Sequence, residues 1–504
     1  MVTCLEDTPE ATYDLRVKED LAKFLQDANI RLVRAECSIP LVACDDLWMA
    51  PLEVLGSKVQ LRCMDMELTC DVRGEEAPAL VTHAELSEWA AGRKDALICS
   101  VSHAWETREH PDPCRFQLRQ LVNCVSLYDA AYHDDVWVFY DYVSLFQFER
   151  QREEEERSFR LAMQNMQVLY AHEYSFTFRI ESLTPDAVWQ AALQDSSFKV
   201  PVFHEVSGAV QQLPLKDLVE NRVPYADRGW CRGEVQWSCA RNRTAQHQRI
   251  DPGDHLGTDE LKGRVPMSPA VFEQLMADAR FTHRSDKEAV SQLQAKIFHD
   301  KVSACDEAVL ENLPAEEVRP LAESLKFYKR LRALKLIKVF IGKEEAKALG
   351  EALASLKTLE DIHIELAEGS DGSAVAEALA EALKRNSSLT TIDLSFSAIG
   401  DAGAKALTEA LKQNSSLTTI DLSENFIIDG GTKAAVLSRP SLAFMWPACS
   451  AHQALAEDLK QNSSLTTIDL SDNFIVALAE ALKQNSSLTT IQLRATGIGD
   501  DGAK

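Results

Sequence analysis

The sequence predicts an α/β protein made of a parallel-sheet domain, a helical bridge and a C-terminal solenoid of repeated strand–helix units. Three observations lead there. Four stretches read almost alike: SSLTTIDLSFSAI from Ser387, SSLTTIDLSENFI from Ser415, SSLTTIDLSDNFI from Ser463 and SSLTTIQLRATGI from Ser486. A repeated unit cannot bury its apolar face alone and must stack on its neighbours. Between Ala91 and Thr244, short apolar runs alternate with helical stretches, the pattern of a βαβ sheet. With 45% apolar and 26% charged residues over 504 positions, the chain has material for two or three globular domains.

Each repeat carries Leu-x-x-Ile-x-Leu and a further Ile five residues on, as in Leu417, Ile420, Leu422 and Ile427. A helical run such as Ala404, Leu407, Ala410 and Leu411 completes the unit. This pattern resembles a leucine-rich repeat. The spacing is 28 residues from Leu331 to Leu359, 30 from Leu359 to Leu389 and 28 from Leu389 to Leu417. That long period resembles the ribonuclease-inhibitor subtype, the type carried by NOD-like receptors. The resemblance implies strands on a concave face, helices on a convex one, and protein partners bound through the solenoid, here residues 326–504. Strands are expected at Leu331–Leu336, Leu359–Ile364, Leu389–Leu394, Leu417–Leu422, Leu465–Leu470 and Leu488–Leu493.

The period breaks once. Leu417 to Leu465 is 48 residues and Leu465 to Leu488 is 23. The excess falls in an irregular insertion at 428–453, with Pro440 and Pro447 and no repeat logic. It reads either as a surface loop or as an error in the translated gene. Strands 417–422 and 465–470 should still be adjacent. Separating them would expose Ile420, Leu422, Ile468 and Leu470, at about 2 kcal/mol per side chain. The chain stops at Lys504 inside IGDDGAK, which matches IGDAGAK at Ile399–Lys405. A solenoid needs a polar cap, so the expectation is a truncated or fraying end.

The outward strand positions repeat as Thr390, Thr391, Asp393; Thr418, Thr419, Asp421; Thr466, Thr467, Asp469; then Thr489, Thr490, Gln492. Parallel strands lie about 4.8 Å apart, so the aspartates would stack as a like-charged ladder. The candidate partner contacts are Thr391, Asp393, Thr419, Asp421, Thr467 and Asp469, which a cationic partner would relieve. The alternative is that identical units simply record recent duplication. Lys412, Lys460 and Lys483 sit at helix ends, where positive charge suits the dipole.

A formal net charge of −25 argues against a nucleic-acid partner. No signal peptide and no 18-residue apolar run is present, so a membrane is not expected and the expected location is cytoplasmic. Twelve cysteines lie scattered without C-x-x-C, which reads as buried thiols in a reducing compartment, with no metal site. Of five sequons, Asn386, Asn414, Asn462 and Asn485 belong to the repeated turn; the fifth is Asn242.

In the α/β domain, residues 91–245, ALICSVS (Ala96–Ser102), VWVFYDY (Val136–Tyr142) and YSFTFRI (Tyr174–Ile180) are candidate strands. A helix is expected over EEEERSFRLAMQNMQVLYAHE, with Phe159, Met163, Met166 and Tyr170 as its core stripe. The order DALICSVSHAWETRE, VFYDYVSLFQ, a long helix and YADRGWCRGEVQWS resembles a TIR domain, and equally the related heterokaryon-incompatibility (HET) domain. The most specific element is Trp230-Cys231-Arg232-Gly233-Glu234, similar to the Ser-x-Trp-Cys-x-x-Glu helix of plant-type TIR domains.

The resemblance implies a flavodoxin-like sheet, NAD as substrate and no firmly expected cofactor. It implies Glu234 as the catalytic carboxylate, with His103, Trp105 and Trp230 binding the substrate. A carboxylate at the rim can hold a ribose hydroxyl and stabilise an oxocarbenium-like state as nicotinamide leaves. Ligands of open α/β sheets sit at the carboxyl ends of strands, where Ser102, His103 and Trp105 fall. His103 also reads as a satisfied strand-end histidine, and Asp141 as an N–H acceptor shaping the following loop. Self-association through this domain is a further expectation.

Two departures qualify the carry-over. Glu181–Val223 is longer than in TIR domains, with Pro185, Pro201, Gly208 and Pro214. No G-x-x-x-x-G-K-[ST] is present, so the nucleotide switch of NOD-like receptors is missing.

Residues 1–90 read as an N-terminal extension: a helix near Leu15–Asp27, a strand-like KVQLRCMDMEL, and a capping box at Thr82–Glu85. Residues 246–325 read as the helical bridge. HAWETREH lacks the H-E-x-x-H spacing and no serine sits in G-x-S-x-G, which weakens a hydrolase reading. Two functions remain: a repeat-bearing recognition protein with a TIR/HET-like, NAD-cleaving effector in a defence-like role, or a non-catalytic scaffold for protein–protein interaction.

Overall fold

The computed structural model describes residues 13–35, 69–72, 75–132, 135–146, 150, 152–204, 209–243, 247–253, 263–281, 286–425, 457, 459–473 and 483–494. The chain divides into two compact units. One holds residues up to 241 with 246–258 and 275–294; the other holds 242–245, 259–274 and 295 onward.

The first unit contains α1 (Lys18–Asp27), β1 (Val33–Arg34), the β2–β3 hairpin (Thr69–Val72, Glu75–Pro78) and α2 (His83–Ala90). β4 (Ala96–His103), α3 (Phe116–Tyr132), β5 (Asp135–Phe139) and α4 (Asp141–Ser144) follow. Then come α5 (Glu153–Gln164), α6 (Gln167–Ala171), β6 (Ser175–Ile180), α7 (Asp186–Gln194), β7 (Lys199–His204), β8 (Ala209–Pro214), α8 (Gly229–Cys239) and β9 (His247–Arg249). The main sheet runs β1-β5-β4-β6-β9, with β1 antiparallel and the rest parallel. Counted along the chain, its parallel strands lie in the order 2-1-3-4, that of a doubly wound sheet.

Local chemistry sets several of these elements. Thr82 Oγ1 accepts the Glu85 N–H while Glu85 Oε2 accepts the Thr82 N–H, so the capping box starts α2 as expected. The strand expected over 136–142 ends at Phe139, because the chain turns into α4 at Asp141. The single helix expected over 153–173 breaks at Asn165–Met166 into α5 and α6. The extension contributes β1 to the main sheet, so it is not merely appended. The long stretch 181–223 holds α7 and the β7–β8 hairpin, packed around Trp189, Val200, Val202 and Leu215. KVQLRCMDMEL lies outside the described residues.

The second unit carries α9 (Pro269–Leu275), the C-terminal half of α10 (Asp286–Ala304), β10 (Glu307–Glu311) and α11 (Ala315–Leu325). It continues with β11 (Ala333–Val339), α12 (Lys343–Ser355), β12 (Asp361–Leu366), α13 (Gly372–Leu383), β13 (Thr391–Asp393), α14 (Gly400–Leu411), β14 (Thr419–Asp421), β15 (Thr467–Asp469) and β16 (Thr490–Gln492). Strands β10 to β16 form one parallel sheet in strict chain order. The helical reading of 246–325 therefore fails at 247–249 and 307–311. The latter is an apolar-alternating strand, with Ala308 and Leu310 buried, that heads the sheet.

The core is a set of in-register apolar rows. Leu334, Ile362, Ile392, Ile420 and Ile468 form one of them, all buried. β14 and β15 pair directly, Ile420 opposite Ile468, so the expected adjacency across the irregular stretch holds. The stretch 428–453 itself, and the chain end at Lys504, lie outside the described residues. The helices approach closely at glycines. A Cβ at Gly350 would lie 2.7 Å from the Ala378 carbonyl oxygen, and one at Gly403 2.7 Å from Ala376 Cβ.

The asparagine that recurs in each turn is structural. Asn414 Nδ2 donates to the Leu383 and Asn386 carbonyls of the preceding unit, and its Oδ1 accepts the Ser416 and Leu417 N–H groups. Asn386, Asn462 and Asn485 do the same kind of work. A second such ladder runs through Asn425 and Asn473. Asn386, Asn414 and Asn462 are buried, which removes them as glycosylation acceptors in the folded state.

Candidate functional site

Two places carry the residues singled out from the sequence: the carboxyl end of the main sheet and the outward face of the repeat sheet.

At the first, β4 ends with Ser102 and His103 where the strand order reverses between β4 and β6, the usual ligand-binding crevice of such sheets. Glu234 lies in the second turn of α8, rather than at its first residue. Its Oε2 accepts a 2.5 Å hydrogen bond from Ser102 Oγ, which lies 2.6 Å from Tyr225 Oη. The glutamate is partly buried and, among the described residues, has no guanidinium partner. Arg228 instead donates to the Val223 and Asn221 carbonyls, and Arg232 pairs with Asp278. Burial raises the Glu234 carboxyl to about 8, helped by nearby Asp141; the Ser102 bond and His103 oppose the rise. The rise favours the protonated form over the carboxylate.

His103 is buried with both ring nitrogens engaged, Nε2 on Asp141 Oδ1 at 3.0 Å and Nδ1 on Gln117 Oε1 at 3.1 Å. Its ring stacks on Tyr140, centroids 4.4 Å apart. Burial lowers its pKa, but the charge and hydrogen bond of Asp141 outweigh that, and the net position is above the ordinary value. Trp105 Nε1–H donates to Asp141 Oδ2 at 2.8 Å. Asp141 thus acts as an acceptor, as expected, although for two side chains of the β4 end. His103 raises no such barrier to Asp141 as burial does: burial pushes this carboxyl up, and the histidine's charge and hydrogen bond more than reverse it.

Trp230, grouped with these residues by the resemblance, turns elsewhere. Its Nε1–H donates to Asp286 Oδ2, and its ring packs edge-on against Trp237. The structure therefore gathers Glu234, His103, Trp105 and Asp141 near one strand end and gives Trp230 other partners. The chain from Tyr225 through Ser102 to Glu234 is not legible in the sequence, since no motif spacing joins positions 102, 225 and 234.

Behind this rim lies a buried ion pair. Arg222 Nη1 donates to Glu106 Oε2 at 2.6 Å, and the same carboxylate accepts from Thr184 N, Thr184 Oγ1 and Gln117 Nε2. Among the described residues, no group of three or more His, Cys, Asp or Glu is arranged to hold a metal ion. Nor is any described helix long and apolar enough to cross a membrane.

On the repeat sheet, Asp393, Asp421 and Asp469 stand in register on β13, β14 and β15, as do Thr391, Thr419 and Thr467. The first threonine of each pair is structural: Thr418 Oγ1 donates to the Thr390 carbonyl and Thr466 Oγ1 to the Thr418 carbonyl. Each aspartate accepts the N–H two residues on, at Ser395, Ser423 and Ser471. The row is relieved at one end, where His363 Nδ1 meets Asp393 Oδ2 at 2.5 Å. Burial raises the Asp421 carboxyl, as do the Asp393 and Asp469 charges beside it.

A leucine-rich-repeat family, described as "Leucine Rich repeat", matches residues 385–407 and 484–504. None of the curated proteins searched matches the chain. Among solved structures, the chain is similar to leiomodin-1 actin-binding site 2, at 24% identity and a TM-score of 0.22. The match covers 29% of this chain and 69% of that one. A superposition so poor carries no weight about function.

Proposed function

We propose that this chain is a recognition protein that binds a protein partner through the outward face of its repeat sheet, stacked as a leucine-rich-repeat solenoid. The observation that carries this reading is the in-register Thr391–Thr419–Thr467 and Asp393–Asp421–Asp469 array on neighbouring strands. Leucine-rich repeats at 385–407 and 484–504 support an interaction role. The test compares proteins captured by the full chain with those captured by a Thr419→Arg/Thr467→Arg variant, whose bulky side chains obstruct the face. A partner retained by the first and lost by the second is expected; identical capture by both sinks the reading.

A second reading is favoured by the position of Glu234. A partly exposed carboxyl at the switch point of a sheet ordered 2-1-3-4 fits a TIR/HET-like effector that cleaves NAD, in a cytoplasmic, defence-like setting. The raised pKa of Glu234 bears on it directly, because only the carboxylate can stabilise an oxocarbenium-like charge. Nicotinamide release from NAD by the full chain should therefore climb as pH rises through about 8 and vanish in Glu234→Ala. Equal release by both proteins, or none from either, leaves the α/β unit as a binding module.

A further inference from the structure

The turns after β13, β14 and β15 each place one residue in the left-handed region: Phe396, Glu424 and Asp472 have φ of 56–57°. A bulky side chain there is unusual, and it points attention to Phe396, which is 61% exposed. Beside it lies an open groove of about 450 Å³, lined by Phe396, Glu424, Asp469, Asp472 and Arg494 among others. Three carboxylates against one guanidinium make the lining net acidic. Asp421 adjoins it one strand away, in register with Asp469.

The molecule itself shows what this row accepts. Asp393 is matched by the imidazole of His363 on the preceding strand. Among the described residues Asp421 and Asp469 have no cationic partner; each uses Oδ1 to hold its own turn.

We propose that the outward face of β14 and β15, together with the groove at their ends, takes an arginine-bearing extended segment of a partner protein. Carboxylates on neighbouring strands about 4.8 Å apart suit the planar fork of a guanidinium, whose donors reach two acceptors at once, whereas an ammonium is a point charge. The exposed face of Phe396 offers a platform on which a second guanidinium stacks. This assignment rests on the reading of the strand face as a partner surface, and it names the chemistry of that partner.

The probe is a fluorescein-labelled peptide of alternating Arg and Ala, with Lys/Ala and Glu/Ala peptides of equal length beside it, titrated into the full chain at low ionic strength. The arginine peptide should bind tightest and weaken as salt is added. Asp421→Asn/Asp469→Asn should weaken it roughly tenfold, and Phe396→Ala a few-fold. Asparagine keeps an oxygen for the turn N–H, so a thermal midpoint no lower than that of the wild type shows that folding is retained. Absence of arginine-peptide binding, equal binding of the lysine peptide, or equal binding to the double Asn variant overturns the proposal. If the Thr419→Arg/Thr467→Arg variant still loses a captured partner, the broader reading survives that failure.

Discussion

The two units bury polar groups by opposite means. In the repeat unit the buried asparagine of each Asn-Ser-Ser turn answers groups fixed by the period: two N–H groups of its own turn and carbonyls one unit back, as at Asn414. In the α/β unit, buried polar groups meet partners far along the chain: Glu106 with Arg222, Ser102 with Glu234, Arg34 with Glu85. A periodic solution distributes the polar load over many equivalent sites, while a one-off solution concentrates it on single pairs. Damage should therefore be larger per residue in the α/β unit.

The sharpest way to break the comparison is Glu106→Ala. It strands the Thr184 and Gln117 donors and leaves Arg222 only the exposed Asp186 and the Thr184 carbonyl, and should cost about 3–4 kcal/mol, since several buried donors, one of them charged, lose a shared acceptor together. Chemical denaturation followed by circular dichroism reads this, and a cost below that of any asparagine in the ladder would reverse the ranking. Asn414→Ala should come next, at about 2–3 kcal/mol, because carbonyls and N–H groups on two units lose partners together. The same melt, with Asn386→Ala beside it, should show similar costs if the ladder is truly periodic.

Glu234→Gln sharpens the contrast in the other direction. A carboxyl raised from near 4.5 to about 8 binds a proton on folding, so its burial costs nothing below pH 4.5. Its burial weakens the fold progressively as pH rises to about 8 and costs a constant amount above that. The amide removes this slope while still accepting from Ser102. It should be more stable than wild type at pH 8 by on the order of 1–2 kcal/mol, discounted for partial exposure. Equal stability of the two proteins from pH 5 to pH 8 would show that Glu234 stays ionised. The smallest effect belongs to the repeat face: Asp421→Asn should stabilise by a few tenths of a kcal/mol at neutral pH, by relieving like charges on adjacent strands. Thermal midpoints at low and high salt check it, since added salt should shrink the gain.

Legibility in the sequence followed the same divide. The row Leu417, Ile420, Leu422 announced a strand, its direction and its neighbours, and even the 48-residue gap to Leu465 did not disturb the pairing of β14 with β15. The capping box at Thr82 and Glu85 was equally readable, being complete within four residues. β10 went unread because EAVLE is one short alternation flanked by helices, without the Leu-x-x-Ile signature of the later units. The partners of Trp230 were not legible because the motif fixes its position on α8 but not what packs beside it, which is Asp286 and Trp237.

By itself the sequence determined the repeat period, the buried rows, the asparagine turns and the aspartate row, because each is set by spacing within one or two units. Only the tertiary structure decided that Ser102, itself bonded to Tyr225, closes on Glu234, that burial raises this carboxyl, and that His363 caps the aspartate row at Asp393. Those outcomes depend on burial and on groups brought together from distant positions, and neither is encoded in any local pattern of residues.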